Sequence, residues 1–238
     1  MTDFGNRVVM ITGASGSLGS ATGREFLEAG AKLALMARHK DLLLQTFPEL
    51  IDEPNCYMSN GADLTSLEEV NRAVKEIIDY FGRIDVLVNT VGGYQAGLPL
   101  HETPVDTWQH MIDLNARTVF ITTRSVVPHM LRQGYGKIIH TAARTGLKGA
   151  ANASAYSAGK AAVIRLVESA SAEVKDQGIN INCILPGTID TPENREAMPD
   201  ADTSRWVAPE SLANVIKFLA SDDSLDIHGA AIPVYGLT

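Results

Sequence analysis

The sequence predicts an α/β protein: a single domain, residues 1–238, with a doubly wound parallel sheet of about seven strands and helices on both faces. Short β-branched runs alternate along the chain with longer helical patterns, and this alternation builds a parallel sheet that is covered on both sides. A chain of 238 residues with 45% hydrophobic content can also bury a large core. Both observations favour one compact α/β unit.

The first half of the chain supplies the start of this alternation. The predicted elements are a strand "RVVMIT", a helix "SLGSATGREFLEAG", a strand "AKLALMA", a short helical piece, a helix "EEVNRAVKEIIDYFG" and a strand "IDVLVN". Ser66 and Glu69 have the spacing of a capping box, which places the start of the third helix.

The second half continues in the same way. A long helix is expected to open at "TPVD", with Thr103 as its cap and Pro104 in its first turn. The elements that follow are a strand "GKIIHTA", a helix "ASAYSAGKAAVIRLVESASAEVK", a strand "INCIL", a helix "APESLANVIKFLAS" and a strand "AAIPVYG". Residues 186–207 form the only long irregular stretch, and a loop of that length in a compact domain predicts a lid over substrate.

Composition excludes several kinds of partner. The net charge is −8 and no Lys/Arg run occurs, so neither nucleic acid nor an anionic membrane surface is expected to bind. Cys56 and Cys183 lack the spacing of a disulfide framework or a zinc site, the histidines show no metal-ligand spacing, and His140 is expected in the core. No basic leader and no run of about 18 apolar residues is seen, which predicts a cytoplasmic protein.

A glycine-rich turn, "TGASGSLG", follows the first strand and opens the first helix. Glycines permit a tight turn and a close approach of phosphate to the backbone, while the start of the helix offers free N–H groups to its charge. With a second strand at the right distance, this context predicts a dinucleotide site.

The end of the second strand distinguishes two cofactors. An acid there binds a ribose 2′-hydroxyl, whereas a basic residue accommodates a 2′-phosphate. The sequence "LMARHK" places Ala37 at the expected position and Arg38 next to it, so NADP(H) is preferred and NAD(H) remains possible. Alternatively, these basic residues only solvate a loop.

Tyr156 and Lys160 are four residues apart on a predicted helix and therefore share a face. An ammonium near a phenol favours the phenolate, so this pairing is expected to lower the pKa of Tyr156 and suit it to proton transfer.

Over essentially its whole length the chain resembles the short-chain dehydrogenases/reductases. The matching segments, in order, are "TGASGSLG", "DLTS", "NTVGG", "LNARTVF", "YSAGK" and "LPGTIDTP". The resemblance implies a single-domain Rossmann fold in which Tyr156 is the general acid, Lys160 holds the nicotinamide ribose, and Asn115 maintains a proton-relay water. It also implies a homotetramer or homodimer and a small-molecule substrate.

The resemblance carries further residues with it. Together with the glycine-turn and Arg38 predictions, the expected cofactor-binding residues are Gly13, Ser15, Ser17, Leu18, Gly19, Arg38, Asp63, Leu64, Asn89, Val91, Gly92, Tyr156, Lys160, Pro186, Gly187, Thr188, Ile189 and Thr191. The expected substrate-side residues are Gly93, Ala143, Arg144, Met198 and Trp206.

One departure from the family bears on the substrate. Most members have a serine thirteen residues before the tyrosine, and Ala143 stands there instead. Thr141 shares its strand face but sits about 6–7 Å back, and Thr145 lies beyond the strand. Either could replace the serine, although the favoured interpretation is that both hydroxyls satisfy local backbone groups.

Ala143, the shifted glycines and the double glycine of "NTVGG" together resemble the quinonoid dihydropteridine reductases. The expected activity is therefore hydride transfer from the nicotinamide to a carbonyl or to a quinonoid or imine-like acceptor, with Tyr156 as the proton donor. The alternatives are a 3-oxoacyl-thioester reductase and a regulator that senses NADP(H) without turnover.

Overall fold

The computed structural model describes residues 3–238 and contains a parallel sheet of seven strands in the order β3-β2-β1-β4-β5-β6-β7. The strands are β1 Val8–Thr12, β2 Lys32–Met36, β3 Cys56–Met58, β4 Val86–Asn89, β5 Gly136–Thr141, β6 Ile179–Pro186 and β7 Ala231–Val234. The helices are α1 Ser17–Glu28, α2 Lys40–Thr46, α3 Leu67–Phe81, α4 Val105–Ile112, α5 Thr118–Gln133, α6 Ser154–Val174, α7 Pro192–Ala197 and α8 Pro209–Ala220. The predicted fold class is confirmed.

Two apolar layers enclose the sheet. Every residue of β1 and of β6 is buried, as expected for parallel strands between helices. One layer includes Val74 of α3 and Val163 of α6, and the other includes Phe26 of α1 and Leu212 of α8. Because β1 pairs with both β2 and β4, the strand order reverses beside it, and ligands of such sheets bind in the crevice at this point.

The predicted helix starts are partly correct. The Ser66 hydroxyl accepts the N–H of Glu69 at 3.4 Å and caps α3, while the Glu69 carboxylate bonds instead to the N–H of Asp63 at 2.9 Å. The prediction that Thr103 caps the next helix is wrong, because α4 begins at Val105 with Pro104 as its cap residue. The Thr103 hydroxyl donates instead to the Pro99 carbonyl at 3.1 Å.

Three further details were not apparent from the sequence. The strand Cys56–Met58 has only three residues, too few to show a pattern. A π-helical turn, Asp113–Arg117, joins α4 to α5 and inserts an extra residue next to Asn115. The 186–207 stretch is more regular than predicted, because it contains α7 and a bridge between Ile189 and Val207.

Candidate active site

The glycine turn between β1 and α1 is closely packed. Gly13 has a φ of 70°, and a Cβ there would lie 2.8 Å from the Thr90 hydroxyl. A Cβ on Gly19 would lie 2.1 Å from the Gly13 carbonyl oxygen. Gly16 precedes α1 and offers no side-chain cap, so the first turn of the helix keeps backbone N–H groups free for an anion.

A cleft of about 480 Å³ opens at this turn, where β1, β2 and β4 end. Its walls include these predicted cofactor-binding residues: Gly13, Ser15, Arg38, Asp63, Leu64, Val91 and Gly92. Other predicted residues lie outside its walls. Leu18 and Gly19 are buried, and Ser17 is half-buried, in the first turn of α1.

Asn89 is also buried rather than facing the cleft. Its carboxamide oxygen accepts the Thr12 hydroxyl at 2.7 Å and the N–H of Val91 at 3.2 Å. Asn89 therefore stabilises the turn after β4 through hydrogen bonds on the buried side, away from the cleft.

Asp63 and Arg38 both line the cleft. The carboxylate of Asp63 accepts the backbone N–H and the hydroxyl of Thr65 at 2.9 and 2.8 Å. These bonds hold its pKa below the usual range, and the charges of Arg38 and Arg117 lower it further. The cleft thus carries a fixed anion next to an exposed guanidinium.

Lys160 and Tyr156 point inward from α6. The Lys160 ammonium donates to the Thr141 carbonyl at 2.9 Å and lies 5.9 Å from the centroid of the Tyr156 ring. Burial lowers the pKa of Lys160 to about 8. Burial raises the pKa of Tyr156 to about 12, with a smaller contribution from Tyr94. The expected lowering by Lys160 is therefore not found, because the ammonium faces a carbonyl and desolvation of the phenol dominates.

Asn115 joins this group through the π-helical turn. Its amide nitrogen donates to the carbonyls of Met111 and Gly93 at 3.0 and 3.1 Å, and its oxygen accepts the Gly93 N–H at 3.2 Å. The fully buried side chain thus fastens both polar groups of Gly93 to the helix.

The double glycine is required by this packing. A Cβ on Gly92 would lie 2.9 Å from the Lys160 ammonium and 3.0 Å from the Asn115 carboxamide oxygen. A Cβ on Gly93 would lie 2.4 Å from a methyl group of Leu114. Gly92 therefore lets the loop after β4 lie directly against Lys160 and Asn115, and Gly93 lets it lie against Leu114.

Ala143 follows β5 and presents a methyl group where the family has a hydroxyl. The hydroxyls of Thr141 and Thr145 are buried without a hydrogen-bond partner in the described chain. The favoured interpretation, that they satisfy local backbone groups, is therefore wrong. Neither hydroxyl replaces the serine in this structure either, since both are shielded from solvent and hence from a substrate.

The remaining substrate-side residues lie on two exposed segments. Arg144 donates to the Thr238 carbonyl at 3.0 Å and covers the ring of Tyr235. Met198, 39% exposed, and the half-buried Trp206 belong to the 186–207 segment.

Hydrogen bonds between its own residues hold the first part of the 186–207 segment. Arg195 donates two hydrogen bonds, of 2.6 and 2.8 Å, to Asp190, and Thr191 caps α7. Gly187 lies so close to the end of the chain that a Cβ would be 2.4 Å from the Tyr235 carbonyl. The other predicted residues here are Pro186, which is buried at the end of β6, and Thr188 and Ile189, which are half-buried.

Tyr94 is a site residue that the sequence interpretation missed. Its ring centroid lies 4.8 Å from that of Tyr156, and the two rings are nearly perpendicular, at 83°. The signal available in the sequence was an aromatic residue directly after the double glycine.

Two kinds of feature are absent from residues 3–238. No group of three or more His, Cys, Asp or Glu side chains there could hold a metal ion. No helix in the same range is long and apolar enough to cross a membrane.

Comparison with known proteins adds a family. A model of the short chain dehydrogenase family matches residues 7–202. The (2S)-[(R)-hydroxy(phenyl)methyl]succinyl-CoA dehydrogenase subunit BbsD of Thauera aromatica is 33% identical over 97% of this chain and 96% of its own length. The 3-oxoacyl-[acyl-carrier-protein] reductase FabG of Thermotoga maritima is 32% identical over the same shares.

Solved structures agree with this match. NAD+-bound xylitol dehydrogenase superposes with a TM-score of 0.90 at 27% identity, covering 98% of this chain and 99% of that one. ElxO with NADP bound has a TM-score of 0.89 at 28% identity, covering 99% and 98%.

Proposed function

Because the chain belongs to the short-chain dehydrogenase/reductase family and is an NAD(P)-dependent oxidoreductase, we propose that it reduces a carbonyl or a quinonoid or imine-like acceptor with Tyr156 as the proton donor. The observation that carries the proposal is the meeting of Lys160 and Asn115 at Gly92, which lines the cleft, with the Tyr156 ring centroid 5.9 Å from the Lys160 ammonium.

The cleft fits a nicotinamide dinucleotide. Its volume is about 480 Å³, the uncapped start of α1 offers N–H groups to a pyrophosphate, and Gly13 and Gly19 let the backbone approach closely. When bound, the reduced nicotinamide supplies the hydride. We propose that the cofactor residues predicted from the sequence hold it, with those behind the cleft, such as Asn89, shaping the walls.

The protonation state of Tyr156 suits the role of a general acid. With a pKa of about 12 the phenol is protonated throughout the neutral range, so it can give its proton to the oxygen or nitrogen that gains charge during reduction. Lys160, with a pKa of about 8, is largely cationic at neutral pH and places its charge 5.9 Å from the centroid of the Tyr156 ring. Asn115 keeps the loop after β4 in contact with both residues.

Ala143 restricts the acceptor. Without the serine hydroxyl, one donor to the substrate oxygen is missing, and losing such a donor costs roughly 2.7–4 kcal/mol of transition-state stabilisation in comparable sites. A conjugated acceptor that gains aromatic character on reduction needs less of this polarisation. We therefore propose a quinonoid or imine-like substrate, as in the dihydropteridine reductases, ahead of a simple ketone.

The test is the rate of NADPH consumption with ketones, quinones and a quinonoid dihydropterin. Wild type should act best on the conjugated acceptors, and Tyr156→Phe should lose most of this activity. Ala143→Ser should raise the rate with simple ketones. If wild type consumes no NADPH with any acceptor, or Tyr156→Phe equals wild type, the proposed function is wrong.

A second candidate is a 3-oxoacyl-thioester reductase. Two relatives carry that name, FabG of Thermotoga maritima and a reductase of Synechocystis that is 33% identical over 93% of this chain. Acetoacetyl-CoA in the same assay separates the candidates. A kcat/KM above that of every conjugated acceptor would favour the thioester reductase.

We also propose that NADP(H) is preferred over NAD(H), because Arg38 is exposed at the cleft wall where an acid would select NAD. Arg38→Ala should weaken NADPH binding about tenfold while leaving NADH nearly unchanged, since one charge-assisted contact is removed. Lys40→Ala, in the same basic run, is the control. Equal losses for both cofactors would contradict the preference.

For the remaining sequence predictions we propose a homodimer or homotetramer, with residues 186–207 as a lid over substrate. A groove of about 430 Å³ between α5 and α6, lined by Phe120, Val127 and Leu166 among others, supports such an interface. Light scattering of wild type and Phe120→Glu would test it. A cytoplasmic location stays a prediction from the sequence.

A further inference from the structure

Tyr94 is unusually exposed for a residue in contact with the proton donor. Its side chain meets Tyr156 edge to face, with ring centroids 4.8 Å apart at 83°. Even so, Tyr94 is 70% exposed, whereas Tyr156 is half-buried. Most of the Tyr94 ring is therefore open at the mouth of the site.

The segment that carries Tyr94 is fixed at both ends. On one side, Asn115 binds the N–H and the carbonyl of Gly93 at 3.2 and 3.1 Å. On the other, the N–H of Gly97 donates to the Asn152 carbonyl at 2.8 Å, and Asn152 lies just before α6, which carries Tyr156. The hydrogen bonds at both ends of the segment therefore hold the exposed Tyr94 ring in place.

The position of the missing serine offers no hydroxyl that could orient a substrate. Ala143 contributes only a methyl group, and the Thr141 and Thr145 hydroxyls are shielded from solvent. An acceptor must therefore be oriented by contacts other than a hydroxyl at that position, and an aromatic ring beside Tyr156 can supply them to a planar molecule.

We propose that Tyr94 is a specificity-determining residue, whose ring forms an aromatic wall next to Tyr156 and selects planar, conjugated acceptors over aliphatic ones. This inference rests on the proposed reductase function and names the substrate class more narrowly. Aromatic rings attract each other in offset or edge-to-face arrangements beyond simple burial of area, which is the basis of the selection. The hydroxyl of Tyr94 is not needed for this role.

The experiment compares Tyr94→Phe, Tyr94→Leu and a control, Tyr80→Leu, with wild type. Tyr80 is also a tyrosine with a large exposed fraction, 50%. It belongs to α3, and its ring packs against those of Tyr57 and Phe81. The probes are 9,10-phenanthrenequinone, which is planar and conjugated, and cyclohexanone, which is neither. Both are assayed with NADPH for kcat and KM.

Tyr94→Leu should lower kcat/KM for phenanthrenequinone about two- to tenfold, mainly through a higher KM, and leave cyclohexanone within about twofold. Tyr94→Phe should keep the wild-type ratio of the two substrates, and Tyr80→Leu should change neither. Equal losses on both substrates would mean that Tyr94 only supports Tyr156, and no loss would mean that it has no role. Either result overturns the proposal.

A binding measurement separates this proposal from the proposed function. Phenanthrenequinone is titrated into each protein with saturating NADP+, which cannot deliver a hydride. The dissociation constant should rise about two- to tenfold in Tyr94→Leu alone. A rise without turnover in any protein would refute the reductase function while keeping the aromatic wall, whereas turnover with an unchanged dissociation constant would refute the wall alone.

Discussion

The glycine turn offers a sharp test of how tightly β1 meets α1. In Gly19→Ala, the new Cβ would lie 2.1 Å from the Gly13 carbonyl oxygen and 2.8 Å from Cα of Ala14. To reach the 3.4 Å of an ordinary contact, the turn and the helix must separate by about 1.3 Å. Backbone atoms stand on both sides, so no side-chain rotation relieves the clash.

The free-energy cost of Gly19→Ala depends on the hydrogen bonds that hold the Gly13 carbonyl in place. It already accepts the N–H of Gly16 at 3.0 Å and a longer bond from the Thr90 hydroxyl at 3.3 Å. Overpacking of this kind costs about 3 kcal/mol. In a protein of this size we therefore expect Gly19→Ala to lower Tm by about 6–12 °C.

Gly16→Ala is the matched control in the same turn. Its Cβ would meet only the Gly13 carbonyl oxygen, at 3.5 Å, and its φ of −81° is open to alanine. Alanine reduces the conformational entropy of the unfolded chain, which stabilises the folded protein by about 0.4–1 kcal/mol. Alanine is also a poorer helix N-cap than glycine, which destabilises the protein by about as much. Tm should therefore move by no more than about 2 °C.

The assay is thermal unfolding without cofactor, because Gly16 also lines the cleft. Scans at matched protein concentration give both Tm values directly. If Gly19→Ala melts within 2 °C of Gly16→Ala, the close approach of α1 to the turn has no energetic weight and the reasoning is refuted.

Three further predictions concern buried polar groups. Burial lowers the pKa of His140 to about 3, so between pH 6.5 and 3 only the unfolded chain takes up a proton at this residue. The free energy of unfolding, measured by urea titration, should therefore fall by about 2 kcal/mol from pH 6.5 to 5. In His140→Asn it should fall by less. Lys160, whose pKa is lowered from 10.5 to about 8, gives the same sign in an alkaline window. The unfolded chain holds the extra proton between these two values, so the free energy of unfolding should rise with pH there, and Lys160→Met should remove that slope. Asn115→Ala should release Gly93 and cost about 1–3 kcal/mol, seen as faster amide exchange at Gly93 and a lower kcat; unchanged exchange would contradict the clamp.

The match between predicted and observed elements depends on how local each signal is. The alternation of apolar patterns located six of the seven strands, because a buried parallel strand needs a continuous apolar run of its own. The strand Cys56–Met58 was missed, since three half-buried residues at a sheet edge carry no such run. Ser66 was a correct cap, but Thr103 was not, because its hydroxyl bonds to the preceding turn.

Side-chain environments were harder to predict than positions. Helical spacing was sufficient to place Tyr156 and Lys160 on one helix, but the direction of their pKa shifts depends on burial and on the Thr141 carbonyl that faces the ammonium. The unpaired hydroxyls of Thr141 and Thr145 likewise reflect the packing around them, which no local pattern records.

The sequence by itself determined the fold class, the dinucleotide-type turn, the family and the absence of a serine at Ala143, because each depends on residue identity at short, fixed spacing. Only the tertiary structure decided that Asn115 clamps Gly93 and that Tyr94 stands edge to face against Tyr156. These contacts join the loop after β4, the π-helical turn and α6, which are remote in the chain. Their geometry depends on how the helices pack on the sheet, and no spacing along the sequence specifies that.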